Sequence, residues 1–191
     1  MNGHGRVAAL MIVLASASLP GLAQEAGPTD SAPVTQQTGH DPGVGPETGL
    51  PIPRFVSMKA SEANIRRGPS MTHRVDWVFR HQGLPLIVTA EYGHWRRVMD
   101  RDGAGGWVHY AMLSGTRTVI VDVDMAQMRA QPNELAPIKA EAERGVIARL
   151  EDCSANWCEI RADGAKGWVH EGDLWGVTLE NVETAAVLPG G

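Results

Sequence analysis

An eight-residue tract occurs twice in the chain, and this repetition restricts the folds open to it more than any other feature. Asp102-Gly103-Ala104-Gly105-Gly106-Trp107-Val108-His109 returns as Asp163-Gly164-Ala165-Lys166-Gly167-Trp168-Val169-His170, identical at seven of eight positions. The likeness spreads outward from the octapeptide, as it does when each copy is a complete supersecondary unit. Asn64-Ile65-Arg66-Arg67-Gly68-Pro69 stands 63 positions before Gln127-Met128-Arg129-Ala130-Gln131-Pro132, Trp95 stands 62 before Trp157, and Leu113 and Gly115 stand 61 before Leu174 and Gly176. An offset that shrinks by only two residues across a copy is what small changes in loop length between matched strands produce. The sequence therefore predicts two domains, 55–118 and 119–178.

Within a copy, short β-type runs alternate with turn signals. Phe55-Val56-Ser57-Met58 opens the first copy and Val119-Ile120-Val121 the second; residues 84–89 and 146–150, then 95–99 and 157–160, follow in order. Asp102-Gly103 and Asp163-Gly164 read as hairpin turns, because glycine accepts the positive φ that tight turns demand. Each copy is expected to hold about five short strands closed into a small barrel or sandwich, an all-β fold in which closure protects the sheet edges. Residues 133–144, with their Glu, Leu, Ala and Lys, favour helix locally. Pro137 interrupts them, however, and the matching stretch 70–81 carries Val75, Trp77, Val78 and Phe79 at strand-like spacing, so strand is expected in both. A domain of this size is marginally stable alone, and two copies joined without a linker are expected to share an interface.

Residues 1–23 read as a secretory signal peptide: Arg6 supplies the positive region, 7–19 the apolar run, and Gly21-Leu22-Ala23 a small-x-small cleavage site before Gln24. The apolar run falls short of the roughly 20 residues that a bilayer span needs. Cleavage near Ala23, a periplasmic or secreted location and no transmembrane span in the mature chain are the expectations. Losing Arg6 leaves 16 basic against 22 acidic side chains, a net charge of −6. That balance, without a basic stripe, argues against a nucleic-acid partner. Residues 24–53, rich in Gly, Pro, Thr, Gln and Ser, read as a flexible, disordered linker. In the tail 179–191, residues 180–188 admit a short helix or strand, and the Pro-Gly-Gly end is expected to fray.

Cys153 and Cys158 bracket four residues, a spacing that a hairpin connection closes, and an exported chain favours oxidation. Their counterparts in the first copy are Glu91 and Arg96, an opposite-charge pair. If these positions face each other across a hairpin, an ion pair in one copy and a disulfide in the other solve the same problem. A redox role would call for Cys-x-x-Cys near a helix start, which is not the spacing here.

No Gly-x-Ser-x-Gly elbow, His-Glu-x-x-His or phosphate-loop motif occurs. Gly103 to Gly106 is glycine-rich but runs into a strand, so no helix N-terminus is available for a phosphate. No Cys or His pair has zinc spacing, and neither cofactor nor metal is expected. His109 and His170 stand at equivalent places without a duplicated nucleophile and read as strand-end hydrogen-bonding groups; His73, His81 and His94 have no counterparts and read as surface residues. Four tryptophans, Trp95, Trp107, Trp157 and Trp168, are duplicated. Core filling is their ordinary use in a small barrel, and a rim groove for extended peptides or sugars is the alternative. Trp77 and Trp175 stand opposite Ala140 and Ser114 and read as local packing or surface features.

Taken together, Asn64-Ile65-Arg66-Arg67-Gly68-Pro69, the apolar strand from Gly83, Trp95-x-x-Val98 and Gly106-Trp107-Val108 with Leu113 resemble the bacterial SH3-like (SH3b) domain. The second copy repeats the pattern as Met128-Arg129, Pro132, Trp157-x-x-Ile160 and Gly167-Trp168-Val169, departing at Gln127, Ala130 and Gln131. The resemblance covers 55–178 and implies two tandem SH3-like β-barrels acting as a non-catalytic binding or adaptor module for a cell-wall peptide or an envelope protein. Trp95, Trp107, Arg66 and Arg67, with Trp157 and Trp168, are then the candidate ligand-binding residues. The arginine pair suits bidentate contact with a carboxylate, or else ordinary surface solvation, and the second copy keeps only Arg129. Two rival readings remain: an assembly module using an exposed apolar patch, and a cell-wall hydrolase with a pKa-shifted group in a cleft.

Overall fold

In the computed structural model, residues 43–179 are described. The expected signal peptide, linker residues 24–42 and the tail from residue 180 lie outside the described residues. Apolar side chains at alternate positions, interrupted by Gly, Asp and Pro, give seven strands per copy. The first copy runs β1 Arg54–Met58, β2 Glu62–Arg66, β3 Val75–Arg80, β4 Pro85–Tyr92, β5 Trp95–Met99, β6 Gly105–His109 and, after a 3-10 turn at Tyr110–Met112, β7 Leu113–Ser114. The second runs β8 Thr118–Val121, β9 Met125–Arg129, β10 Ile138–Glu143, β11 Ile147–Ser154, β12 Trp157–Ala162, β13 Ala165–His170, a 3-10 turn at Glu171–Asp173 and β14 Leu174–Trp175. The strand orders are β3-β2-β6-β5-β4-β1-β7 and β10-β9-β13-β12-β11-β8-β14, one topology used twice. The five strands expected per copy become seven because β2, its equivalent β9 and the two-residue closing strands were hidden in motif and loop sequence.

The correspondence reaches the irregularities. β4 slips register against β5 between Val88 and Ala90, and β11 slips against β12 between Leu150 and Asp152, 62 positions on. β10 forms in the stretch with local helix preference, since Ala142 is needed in the core and the ladder to β9 satisfies the backbone. Among the described residues, no helix is long and apolar enough to cross a membrane.

Neither central core cluster is built on a tryptophan, although Trp157 is itself buried. The first is built on Val56, Met58, Ile65, Phe79, Leu86, Val88, Val98 and Val108, and the second on Val119, Val121, Met128, Ala142, Ala148, Ile160, Val169 and Leu174. Core filling is therefore corrected for Trp107 and Trp168: along β6 the inward residue is Val108, and along β13 it is Val169, each beside an outward tryptophan. Strand alternation places Trp107 and Val108 on opposite faces, and the smaller side chain fits the narrow interior.

The described residues 43–179 fall within one compact unit, and the two barrels share an interface in it. Phe55 and Ile87, on the outer face of β1 and β4, pack with Met99 against Trp175 and Leu179. The Phe55 and Trp175 rings meet edge to face at 5.3 Å. Arg117 donates to the carbonyls of Gly176 and Val177, and its guanidinium lies 5.4 Å over the Phe55 ring. The Thr118 hydroxyl donates to Gly83 O, and Arg101 pairs with Asp122 at 3.0 Å. Trp175 thus belongs to the junction, which explains why the first copy has Ser114 at that place.

Glu91 and Arg96 face each other across β4 and β5, as Cys153 and Cys158 do across β11 and β12. The cysteines form the disulfide, with Cα atoms 4.1 Å apart. Replacing both cysteines by alanine is expected to cost the protein about 2 kcal/mol, the entropy term for so short a loop. Chemical denaturation measures it, and an unchanged midpoint would show that the bond adds nothing.

In the first copy, the carboxylate at this position holds a further segment. Residues 43–52, expected as linker, fold as a small hairpin: Gly45 N–H donates to Leu50 O, Ile52 N–H to Gly43 O, and Val44 bridges Pro51. Glu91, its side chain fully buried, accepts from Glu47 N–H, Thr48 N–H and the Thr48 hydroxyl, and pairs with Arg54 at 2.7 Å and Arg96 at 3.3 Å. Ile52 packs on the core. Composition misled here because the segment is held chiefly by hydrogen bonds to one distant carboxylate, with Ile52 as its apolar anchor. Gly45 lies so close that an added Cβ would stand 2.5 Å from that carboxyl group.

Candidate functional site

The duplicated octapeptide is now legible residue by residue. Gly164 and Gly103 take φ of 83° in the two turns. Gly106 and Gly167 let the neighbouring strand approach: an added Cβ would lie 2.5 Å from Arg66 O in one copy and 3.0 Å from Arg129 O in the other. His109 and His170 end their strands by accepting, through Nδ1, the N–H of Ala111 and of Gly172 at 3.3 and 3.2 Å. Those hydrogen bonds cap the 3-10 turns. Trp95 stands edge-on to His109 at 5.7 Å, and Trp157 to His170 at 5.6 Å. Most of the tract is scaffold, and Trp107 and Trp168 are the parts left on the outer face.

Around Trp107 the first barrel opens a groove of about 790 Å³, lined by Arg67, Asp76, Thr89, Arg97, Met99, Gly103, Gly105 and Gly106, with Ile52, Pro53 and Gly43 at one end and Leu179. β5 and β6 place Arg97 directly opposite Trp107. The bulge in β4 brings Thr89 to the same wall. Arg67 pairs with Asp76 at 3.1 Å, and Arg74 pairs with the same carboxylate at 2.7 Å. Hydrogen bonds from Arg74 and then Arg67 hold the Asp76 carboxyl below its ordinary value. Arg97, exposed, joins no ion pair among the described residues. The groove thus offers an indole face, one uncommitted cation and a carboxylate that Arg67 and Arg74 share.

The candidates separate on this geometry. Trp107 and Arg67 line the groove. Arg66 sits beside Trp107 on β2 and gives Nη1 to His73 O, as Arg129 gives its own to Ala136 O, so both arginines tie down the loop that follows. Trp95 lies at the far end of the same face, in an aromatic cluster with His94, His109 and Tyr110. Trp157 borders a smaller hollow of about 170 Å³ with Arg129 and Glu134. Opposite Trp168 the second barrel carries Glu159, neutralised by Lys166 at 2.9 Å. Arg97 was overlooked in the sequence, although its place two residues after Trp95 on a β-type run puts it on the tryptophan face.

Asp100 is the carboxyl whose pKa burial raises; the N–H groups of Ala104 and Asp102 oppose the shift and bond its Oδ1 at 2.9 and 3.0 Å. Its oxygen is occupied in shaping the β5–β6 turn.

Fold and face together define a protein of two tandem SH3-like barrels. The chain belongs to the bacterial SH3 domain family, whose model matches residues 59–115 and 122–176. No curated protein matches it. Among solved structures it is similar to NlpC1 from Trichomonas vaginalis, at 12% identity over 69% of this chain and 48% of that one, with a TM-score of 0.30. It is also similar to NlpC2 from the same organism, at 12% identity over 73% of this chain and 51% of that one, with a TM-score of 0.32. The chain spans about half the length of these two proteins.

Proposed function

We propose that the protein is a non-catalytic, exported binding module whose first barrel holds an extended, carboxylate-bearing peptide of the cell envelope, such as a peptidoglycan peptide, in the Trp107 groove. The observation that supports this reading is the placement of Arg97 opposite Trp107. A peptide lying across the indole face brings a carboxylate to Arg97 without breaking an ion pair, while Arg67 and Asp76 remain joined. Charge-assisted hydrogen bonding then sets orientation, and burial against the ring supplies affinity. The second barrel, with Glu159 in place of Arg97, acts as the structural partner.

Co-sedimentation with purified peptidoglycan sacculi tests this. Arg97→Glu is expected to weaken binding by at least about tenfold, equivalent to about 1.4 kcal/mol, and the fold accommodates it because the second barrel carries Glu159 there. Trp107→Ala is expected to weaken binding further, and Trp168→Ala to leave it unchanged. Release of wall fragments by the wild type would replace the binding reading with the hydrolase. Absence of binding by folded wild type would favour the assembly role.

A further inference from the structure

We propose that the protein forms a twofold-symmetric dimer through β3, pairing the edge of its first barrel antiparallel with β3 of a second molecule. Among the described residues β3 pairs with β2 alone, so its outer edge presents unbonded N–H and C=O groups. Its sequence, Val75-Asp76-Trp77-Val78-Phe79-Arg80, is dominated by β-branched and aromatic residues. Trp77 is 52% and Val78 40% exposed, a large apolar area for the edge of so small a domain.

The second barrel shows what a protected edge looks like in this same fold. Its equivalent strand β10 reads Ile138-Lys139-Ala140-Glu141-Ala142-Glu143, with a charge at each place where β3 has Asp76, Val78 and Arg80. Charged edge residues are the usual guard against strand addition. At the central position that guard is missing from β3.

The edge is also complementary to itself. A dyad through Val78 sets Val78 against Val78, Trp77 against Phe79, and Asp76 against Arg80 twice over, as an isologous interface requires. Arg80 is held by Glu62 at the surface, with 72% of its side chain exposed, so it reaches across without uncovering a buried pair, and it joins the surface carboxylate of Asp76 that Arg67 and Arg74 already share. A register one residue away loses both charge matches, leaving Asp76 opposite Phe79. The same dyad applied to β10 brings Glu141 against Glu141, which repels. A six-residue strand pair is a small interface, so a dissociation constant on the order of tens of micromolar is expected.

Sedimentation equilibrium of the chain from Gln24, between about 1 and about 500 µM, is expected to show a mass rising toward that of two chains. Val78→Glu installs the residue that the second barrel carries at this position. It is expected to raise the dissociation constant at least about tenfold with far-ultraviolet circular dichroism unchanged. Val78→Cys is expected to give a disulfide-linked dimer on a non-reducing gel, whereas Glu141→Cys is not. A wild type monomeric throughout, a dimer indifferent to Val78→Glu, or equal crosslinking through residue 141 would overturn the proposal. No ligand enters these measurements, so their outcome is independent of the groove reading.

Discussion

Glu91→Gln is expected to lower stability by about 3–5 kcal/mol, the cost of stripping one partner from a buried ion pair, and to release residues 43–52 from the first barrel. Every group around the Glu91 side chain is a donor: Arg54, Arg96 and the Thr48 hydroxyl on one oxygen, the Glu47 and Thr48 amides on the other. An amide supplies one acceptor where two are needed, and its NH₂ must face donors. Arg54 and Arg96, with side chains 17% and 9% exposed, would also lose their shared counter-charge. Denaturant unfolding measures the energetic loss. Hydrogen exchange at Glu47 and Thr48 reports the segment, and full protection of both amides in the variant would refute the account.

The same cluster fixes the direction of pH dependence. Burial pushes the Glu91 carboxyl up, but the Thr48 hydroxyl, Arg54 and the two backbone amides outweigh it and hold the pKa below its ordinary 4.5. A carboxyl with a depressed folded-state pKa contributes stability that is complete above the unfolded value and lost as pH falls through the folded one. The segment is therefore expected to stay docked at neutral pH and to loosen below about 4.5. The double variant Glu91→Cys/Arg96→Cys installs the second barrel's disulfide at the matching register and is expected to restore hairpin stability without recovering amide protection at Glu47 and Thr48. Recovery of both would mean that the carboxylate is dispensable for docking.

Duplication made the scaffold readable, because two copies of one pattern reveal which positions the fold repeats. The equivalence of Glu91–Arg96 with Cys153–Cys158, the turns at Gly103 and Gly164 and the capping role of His109 and His170 all follow from aligning the chain with itself. What breaks the symmetry was harder to read. Arg97 and Glu159 occupy one structural position with opposite charge, and motif matching passes over a variable site of this kind. Arg54 and Arg117 are likewise equivalent, yet one meets Glu91 and the other, whose barrel has a cysteine at that place, bonds the carbonyls of Gly176 and Val177. Trp107 and Trp168 misled because ring size suggested an interior role, whereas strand parity, set by Val108 and Val169, decides which face a side chain takes.

Phe55→Ala is expected to remove about 3–5 kcal/mol, the range for truncating a buried phenylalanine, and to divide one unfolding transition into two. Phe55 is 9% exposed although it lies on the outside of its own barrel, so what covers it belongs to the junction: Trp175, Leu179 and the Arg117 guanidinium. Burial lowers the pKa of Arg117, and its Nε finds no hydrogen-bond partner, which leaves the Phe55 ring as a principal compensation for its partial desolvation. Phe55→Leu keeps most of the apolar area and removes the ring, so the loss from wild type to Phe55→Leu isolates the aromatic and cation–π share, about 1–2 kcal/mol. A double-mutant cycle with Trp175→Ala is expected to give a coupling of about 0.5–1.5 kcal/mol. If calorimetry of Phe55→Ala showed one unshifted transition, Phe55 would add nothing to the coupling of the barrels, and its packing at the junction would be contact without consequence.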